Sequence, residues 1–178
     1  MHREVIISVT GLNISGIVAK VCRAIYDSRG NFEDSSMILL ENHFSLMVLV
    51  TLQDRDSYDV LADACNRLVE EMGLKINIFP IDDKSSGFWP DASGPNYEIR
   101  AKGKDRMGIM YRASHLLASM GVNILELETK IVEAKDGTSM FSLRTAVAVP
   151  ENIDDETLRK NLKLLAENNF ETISLIPI

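Results

Sequence analysis

The sequence Gly11-Leu12-Asn13-Ile14-Ser15-Gly16-Ile17-Val18 recurs in altered form 92 residues later, as Gly103-Lys104-Asp105-Arg106-Met107-Gly108-Ile109-Met110. Each stretch has a glycine, a short polar side chain two residues on, and a second glycine three residues after that. Each also follows an alternating apolar run and opens an apolar pattern of helical period. We therefore predict two strand-to-helix turns and read the chain as a tandem repeat.

The repeat extends through the strand before each turn and the helix after it. Each helix should end near a glycine, Gly30 in the first copy and Gly121 in the second, because glycine commonly terminates helices. We expect the inward side chains of the two first strands to be Val5, Ile7 and Val9 in one copy, and Tyr97, Ile99 and Ala101 in the other.

The elements that follow recur as well. An asparagine opens the second strand of each copy, Asn31 in the first and Asn123 in the second. A tight hairpin at 41–43 and a longer one at 134–137 lead into the third strands. The predicted ranges are 31–40 and 123–132 for the second strands, 44–52 and 141–149 for the third, 56–72 and 154–168 for the second helices, and 74–81 and 171–178 for the last strands.

Each copy thus runs strand, helix, strand, strand, helix, strand. Right-handed crossovers then predict an α+β protein of two tandem ferredoxin-like βαββαβ domains, each a four-stranded antiparallel sheet with two helices on one face. We place the domains at 1–81 and 97–178, joined by a linker, 82–96, that breaks every periodicity. The linker holds the only tryptophan, Trp89, which either packs across the two domains, as we favour, or lies exposed.

Composition limits the class of protein. The 178 residues carry 19 basic and 26 acidic side chains, and neither half has the basic excess that a phosphate backbone attracts. We therefore expect no direct nucleic-acid binding. No apolar run approaches the ~18 residues of a membrane span, and the N-terminus has no signal-peptide core. We expect no membrane contact and a cytoplasmic location.

Residues that could support catalysis or metal binding do not cluster in the sequence. Cys22 and Cys65 lie in helix patterns without neighbouring ligands, and the three histidines form no metal-ligand spacing or catalytic triad. Phosphate-loop and dinucleotide-binding motifs are absent from the sequence. We expect buried thiols, no metal, no cofactor and no catalytic residues.

The fold pattern, the N/D-x-x-G turn and the asparagine that opens the second strand resemble the ACT domain, a regulatory module that binds amino acids and related small ligands. The resemblance covers the chain twice, apart from the linker. A chain of two such domains, without a catalytic or DNA-binding domain, is similar to the glycine cleavage system transcriptional repressor family. One feature departs from the pattern, since the family usually has Pro just before the second glycine, where this chain has Ser15 and Met107.

The resemblance implies that the turn residue and the strand-opening asparagine of each copy contact the ligand. The carboxylate of a free amino acid can accept from backbone amides at a helix N-terminus, while side-chain oxygens can accept from its ammonium group. The candidate ligand-binding residues are Asn13, Ile14, Ser15, Gly16, Asn31, Asp105, Arg106, Met107, Gly108 and Asn123.

A purely structural interpretation competes with this one. Asn13 and Asp105 occupy positions where a helix cap is needed, and Asn and Asp are common caps. Both copies hold the glycine turn and the strand-opening asparagine, and this duplication favours at least one true ligand-binding site. The charge of Asp105, close to Lys102 and Lys104, favours the second copy.

The sequence therefore predicts a non-enzymatic sensor of a small amino acid, with glycine as one candidate, that acts on transcription through a protein partner. The alternative is a detached regulatory subunit of an amino-acid metabolic enzyme, and a small enzyme on the same fold is a third hypothesis. The resemblance also implies a homodimer, because related domains pair their sheet edges side by side. Whether domains pair within one chain, between two chains, or both is left open by the sequence.

Overall fold

The computed structural model describes residues 3–81, 94–133 and 137–178. The chain divides into two compact units, Met1–Pro90 and Asp91–Ile178. Each unit has strands and helices in the predicted order, with a four-stranded antiparallel sheet, and this confirms the tandem α+β fold. Trp89, most of the proposed linker and part of the hairpin at 134–137 lie outside the described residues.

In the first unit, the sheet order is β2-β3-β1-β4, so β2 and β4 are its edges. Neighbouring strands are antiparallel throughout. The elements are β1 (Arg3–Leu12), α1 (Ile17–Asp27), β2 (Gly30–Leu40), β3 (His43–Leu52), α2 (Arg55–Met72) and β4 (Lys75–Ile81).

The second unit repeats this arrangement with the sheet order β6-β7-β5-β8, in which β6 and β8 are the edges. Its strands are again antiparallel. The elements are β5 (Tyr97–Lys104), α3 (Ile109–Ser119), β6 (Asn123–Glu133), β7 (Ser139–Ala148), α4 (Asp155–Asn169) and β8 (Thr172–Pro177).

The core of the first unit lies between one face of the sheet and both helices. Val5, Ile7 and Val9 of β1 are fully buried, as the alternation predicts, and pack with buried residues of α1 and α2 such as Ile25 and Leu61. Each such side chain contributes about 1.5–3 kcal/mol by leaving water. The helices therefore cover one face of the sheet, and no helix or strand among the described residues of this unit covers the other face.

The second helix of each unit begins at an aspartate cap. Asp54 accepts hydrogen bonds from the backbone N–H and the hydroxyl of Ser57, at 2.8 and 2.7 Å. Asp154 accepts equivalent bonds from Thr157, at 2.7 and 2.8 Å. The acidic N-termini of these helices therefore supply a specific cap as well as a favourable charge.

The first helices begin differently from the prediction. Their caps are Gly16 and Gly108, in the left-handed region at φ of 90° and 81°, and neither cap has a side-chain hydrogen bond. The expectation that Asn13 and Asp105 cap these helices is therefore wrong. The chain leaves the strand, bends through three more residues and enters the helix at a glycine, whose missing Cβ permits this backbone conformation.

The first helix of the first unit does not end at the glycine that the sequence suggests. α1 ends at Asp27, and Arg29 rather than Gly30 takes the left-handed conformation after the helix, at φ 55°. In the second unit Gly121, which aligns with Arg29 at the offset of 92, takes that conformation at φ 69°. Gly30 instead allows close packing of the chain against β3, because a Cβ there would lie only 2.9 Å from Val50 Cγ1.

Asn96, which the sequence pattern assigns to the linker, is bonded to the sheet of the second unit. Its Nδ2 donates to the carbonyl of Val149, and its Oδ1 accepts from the N–H of Val149, both at 2.9 Å. Its carbonyl also accepts from the N–H of Ile178 at 3.0 Å. Asn96 thus ties the start of β5 to the ends of β7 and β8.

Candidate functional site

The turn before α1 is held by backbone hydrogen bonds. The N–H of Asn13 donates to the carbonyl of Asn42 at 2.8 Å, and the N–H of Ile17 donates to the carbonyl of Ile14 at 3.3 Å. The regular helical ladder starts only where the N–H of Lys20 meets the carbonyl of Gly16. Of the predicted amide donors Ile14, Ser15 and Gly16, only Gly16 therefore belongs to the helix terminus, which is where a helix attracts an anion.

The turn before α3 has the same backbone and a cationic side chain above it. Arg112 Nη2 donates to the carbonyl of Met107 at 3.2 Å, and a Cβ on Gly108 would lie 3.4 Å from Arg112 Nη1. The N–H of Ile109 donates to the carbonyl of Arg106 at 3.2 Å, as in the first turn. An anion at this turn would meet the guanidinium group as well as the helix terminus.

Arg112 is a residue that the sequence analysis missed. It aligns with Lys20 at the offset of 92, so both copies place a basic side chain one helical turn after the second glycine. This repeat of charge is a signal that a position-by-position comparison of the two copies could have found. In the first unit, Lys20 instead approaches Glu71 at 3.8 Å, a weak exposed ion pair.

The predicted residues of one unit do not come together around one small ligand. Asn31 pairs with Thr51 of β3, whereas Asn13 is bonded to Asn42, which precedes that strand. Nine residues of extended chain separate the two partners, which corresponds to roughly 30 Å. Asn13 and Asn31 therefore lie at opposite ends of the sheet.

The second unit shows the same separation. Asn123 pairs with Ala148 at one end of β7, and the N–H of Asp105 donates to the carbonyl of Ser139 at the other end, at 2.9 Å. A free amino acid spans only a few ångströms, so it can contact either the turn or the asparagine of a given unit. Any site that uses both features requires two domains.

Asn31 lines an open cavity of about 770 Å³ at the C-terminal end of α1. The cavity also receives Asp27, Arg29, Glu33 and Gln53, so it presents both signs of charge beside two side-chain amides. Asn31 Nδ2 donates to Glu33 Oε1 at 2.7 Å, which orients the amide. We call this end of the first unit the Asn31 cavity.

The charges of the Asn31 cavity are specific to the first unit. Asn31 has its counterpart in Asn123, but at the same offset Ser119, Gly121 and Leu125 replace the charged residues. In the sequence, the charge on Asp105 favours the second unit as the ligand site. In the structure, mixed charges around the strand-opening asparagine distinguish the first unit.

The backbone of Arg29 adds a second indication. A non-glycine residue at φ 55° adopts a sparsely populated conformation, which costs of order 1 kcal/mol or more. The second unit avoids this cost with Gly121 at φ 69°. At this position the first unit therefore has a guanidinium group that lines the Asn31 cavity, and the second unit has no side chain.

The buried thiol of Cys65 is poorly suited to act as a nucleophile. Burial raises the pKa of the Cys65 thiol to about 11, so the nucleophilic thiolate is scarce at neutral pH. Among the described residues, no group of three His, Cys, Asp or Glu side chains could hold a metal ion. Nor does any helix in the described part of the chain combine the length and apolar character needed to cross a membrane.

Comparison with known sequences identifies one domain type. The sequence profile described as "ACT domain" matches residues 3–78. A UPF0237 protein of Methanococcus maripaludis is 32% identical over 76 residues, which cover 42% of this chain and 84% of the relative. A UPF0237 protein of Streptococcus pneumoniae is 31% identical over 75 residues, covering 42% and 85%.

Solved structures match over the whole length. A protein of unknown function from Galdieria sulphuraria superposes with a TM-score of 0.81 at 26% identity, covering 100% of this chain and 99% of that one. A structure provisionally assigned as a glycine cleavage system transcriptional repressor superposes with a TM-score of 0.71, covering 100% and 98%. Its identity of 15% shows a shared fold only.

Proposed function

This chain belongs to the ACT-domain family through its UPF0237 relatives, and on that premise we propose that it is a non-enzymatic regulatory protein that binds a small amino acid. ACT domains generally bind small ligands such as amino acids. The observation that carries the proposal is the Asn31 cavity, which offers both signs of charge and the oriented amide of Asn31 in a single open site.

The charges of this cavity match a free amino acid. Arg29 supplies a planar set of N–H donors for a carboxylate, while Asp27 and Glu33 supply acceptors for an ammonium group. Asn31 can contribute to either contact. Arg23 Nε also donates to Asp27 Oδ2 at 3.3 Å, so an ammonium group would share Asp27 with Arg23, and the mixed charges of the cavity favour a zwitterion.

A second copy of the chain would complete the site. β2 is an edge strand that carries Asn31 near its start and ends at Leu40, close to Asn42 and hence to the turn at Asn13. Antiparallel pairing of β2 with β2 of a second copy sets the start of one strand beside the end of the other. Asn31 of one copy then approaches the Asn13 turn of the other, which supports a homodimer with shared ligand sites.

The expected affinity follows from ligand size. Glycine has about five non-hydrogen atoms, and the best small ligands gain at most about 1.5 kcal/mol per atom, which sets a ceiling near 7.5 kcal/mol. The dissociation constant should therefore be in the low micromolar range or weaker. Such an affinity suits the sensing of a metabolite pool.

Regulation would proceed through a protein partner in the cytoplasm. The net charge of −7 argues against direct contact with DNA, so we favour a transcription regulator as the partner and glycine as one candidate ligand. The fold shared with the provisionally assigned repressor supports the arrangement of two domains but does not extend to its ligand. The alternative is a detached regulatory subunit of an amino-acid metabolic enzyme.

Ligand binding is tested by thermal shift and calorimetry with the free amino acids at millimolar concentration. We expect one or more small amino acids to bind, and Arg29→Gly, which installs the residue of the second unit, to weaken binding roughly tenfold by removing one charge-assisted contact. Arg67→Ala, on the exposed side of α2, is the control with the same loss of charge. Absence of heat and of any thermal shift with every amino acid would refute the proposal.

Sharing of the site between copies is tested by mixing two variants. Asn13→Ala and Asn31→Ala should each weaken binding at the first unit when studied alone. After the two proteins are mixed and exchange chains, one site of each mixed dimer has both asparagines intact, so binding should return in part. If it does not return, the ligand contacts a single copy.

The nature of the partner is tested by affinity capture with and without the identified amino acid. Recovery of a transcription regulator supports the first form of the proposal, and recovery of a metabolic enzyme supports the alternative. Either interaction should change with ligand concentration. Turnover of any metabolite that is lost on Asp105→Ala would favour the enzyme hypothesis instead.

A further inference from the structure

The face of the second sheet opposite its own helices carries four basic side chains. Arg100 and Lys102 of β5, Lys130 of β6 and Arg144 of β7 line an open cavity of about 470 Å³, together with Glu128 and the hydroxyl groups of neighbouring strands. We call these four residues the basic face. Their side chains are accessible, at 59% for Arg100, 54% for Arg144 and 67% for Lys130.

The two arginines are fixed by one buried carboxylate. Arg100 and Arg144 lie directly opposite each other on β5 and β7, where two like charges repel. Glu98, only 7% exposed, lies between them and accepts from Arg144 Nε at 2.7 Å and from Arg100 Nε. These hydrogen bonds lower the pKa of the Glu98 carboxyl, with Arg144 the larger cause, so it stays ionised near neutral pH.

This arrangement leaves the arginines able to bind a ligand. Both contacts to Glu98 use Nε–H, and each guanidinium group carries further N–H donors on its two terminal nitrogens. Glu98 thus holds the two groups side by side without engaging those donors. Lys102, one row along the sheet, adds an ammonium group, and Ser142 and Ser174 add hydroxyl donors.

The first unit shows that the fold does not require these charges. The residues at the equivalent positions are Ser8 for Arg100, Thr10 for Lys102, Ile38 for Lys130 and Met47 for Arg144. Ser8 and Met47 are opposite each other in the first sheet, as Arg100 and Arg144 are in the second. Two copies of one fold therefore differ on this face by four basic side chains.

We propose that the basic face binds a small phosphate-bearing anion, held by Arg100 and Arg144 with Lys102 beside them. Four cations converge on this face of a chain whose net charge is −7. Two carboxylates lie among them, Glu98 beside the arginines and Glu128 at 2.6 Å from Lys130, which leaves a net positive face with Lys102 next to the arginines. Arginine forks match the oxygen geometry of phosphate. The described lining contains no aromatic ring on which a base could stack, so recognition is of the phosphate groups themselves.

The test is calorimetric titration of the full chain with inorganic pyrophosphate at low ionic strength. We expect saturable binding that weakens as salt is added, because these groups are exposed to solvent. Arg144→Met, which installs the residue of the first unit, should weaken binding roughly tenfold through loss of one charge-assisted contact. Lys160→Ala, on α4 at the other face of the sheet, removes the same charge and should leave binding unchanged.

Arg144→Met could disturb folding because it removes a partner of Glu98, so Lys102→Thr provides a second test. Lys102 is exposed and its substitution leaves the Glu98 contacts in place. Circular dichroism and thermal melting verify that each variant is folded. Absence of pyrophosphate binding, equal binding by folded Lys102→Thr and the parent chain, or binding of duplex DNA without binding of pyrophosphate would each overturn the proposal.

Discussion

Single residues decide how α1 and α3 begin and end. Gly16 and Gly108 open the two helices with a left-handed backbone, a role for which the sequence also offers the side chains of Asn13 and Asp105. Arg29 and Gly121 close them with the same conformation but different chemistry. The backbone of the repeat is therefore conserved between the units, while the side chains at its turns differ.

Gly30 is required for packing. Its substitution by alanine would place a Cβ 2.9 Å from Val50 Cγ1, 3.0 Å from Ile25 Cγ2 and 3.1 Å from the Ile25 carbonyl oxygen. We expect Gly30→Ala to lower the free energy of unfolding by about 1–3 kcal/mol, because a backbone atom cannot move aside easily. Urea denaturation measures the change. Gly94→Ala, where a Cβ meets nothing within 4 Å, is the control, and an equal effect of both would contradict the explanation.

The caps of the helices give a second residue-scale prediction. Asp54→Ala removes two hydrogen bonds from Ser57 and should lower the melting temperature by about 5 °C. Asn13→Ala should change it little, because Gly16 is the cap of α1 and has no side-chain hydrogen bond. Differential scanning calorimetry without ligand compares the two variants. A large loss for Asn13→Ala would restore the capping interpretation.

At the scale of elements, the edge strand β2 is exposed over nearly its whole length. All of its residues except Gly30 are exposed, and four large apolar side chains at its end are 45% to 75% exposed. These side chains are Met37, Ile38, Leu39 and Leu40. An exposed edge of this length pairs readily with another strand, which is why the proposed homodimer uses it.

Charge on this edge should separate the copies. We expect Ile38→Lys, at a position 63% exposed, to convert a dimer to a monomer while the fold is kept, because a lysine on an edge strand disfavours pairing with another strand. Sedimentation velocity and circular dichroism measure the two properties. Val60→Lys adds the same charge at a 46% exposed position of α2 and should leave the dimer intact. A parent chain that is monomeric would exclude pairing through β2.

For the whole molecule, the two units share a backbone and differ in chemistry. The first unit concentrates mixed charges at the Asn31 cavity, and the second concentrates basic charges on one face of its sheet. Both features lie outside the cores, which keep the same pattern of buried strands. The two units thus carry different surface chemistry on one fold.

Acid should destabilise the whole chain. Interactions in the folded state lower the pKa of several carboxyl groups, so the unfolded chain binds more protons as the pH falls. Stability should be nearly constant above the ordinary pKa values of 3.8 and 4.5 and should decline below them. The groups are Asp54 and Asp154 at helix caps, Glu98 between arginines, and Glu128 beside Lys130.

The urea midpoint measured from pH 7 to pH 3 tests this prediction. Glu98→Gln should remove part of the decline, because the amide does not titrate between the two arginines. A midpoint that rises as the pH falls would show that the sign is wrong. The control is Glu156→Gln at an exposed position of α4, which should leave the pH dependence unchanged.

Much of the fold could be predicted because it depends on local pattern. The alternation of Val5, Ile7 and Val9 marks one face of a strand, and the recurrence of glycines at one offset reveals the repeat. The same comparison could have found Arg112 through Lys20. The caps could not be read in this way, because a left-handed glycine and a polar cap leave similar signals in the sequence.

The sequence by itself determined that this chain has two copies of one α+β unit, where their strands and helices lie, and which residues face the cores. Only the tertiary structure decided that Asn13 and Asn31 lie at opposite ends of a sheet, that Arg29 enters the Asn31 cavity, and that Glu98 joins Arg100 to Arg144. The physical reason is the distance along the chain over which each kind of interaction acts. Periodicity and turn chemistry act between neighbours along the chain, whereas a binding site depends on which distant residues the strand register places side by side.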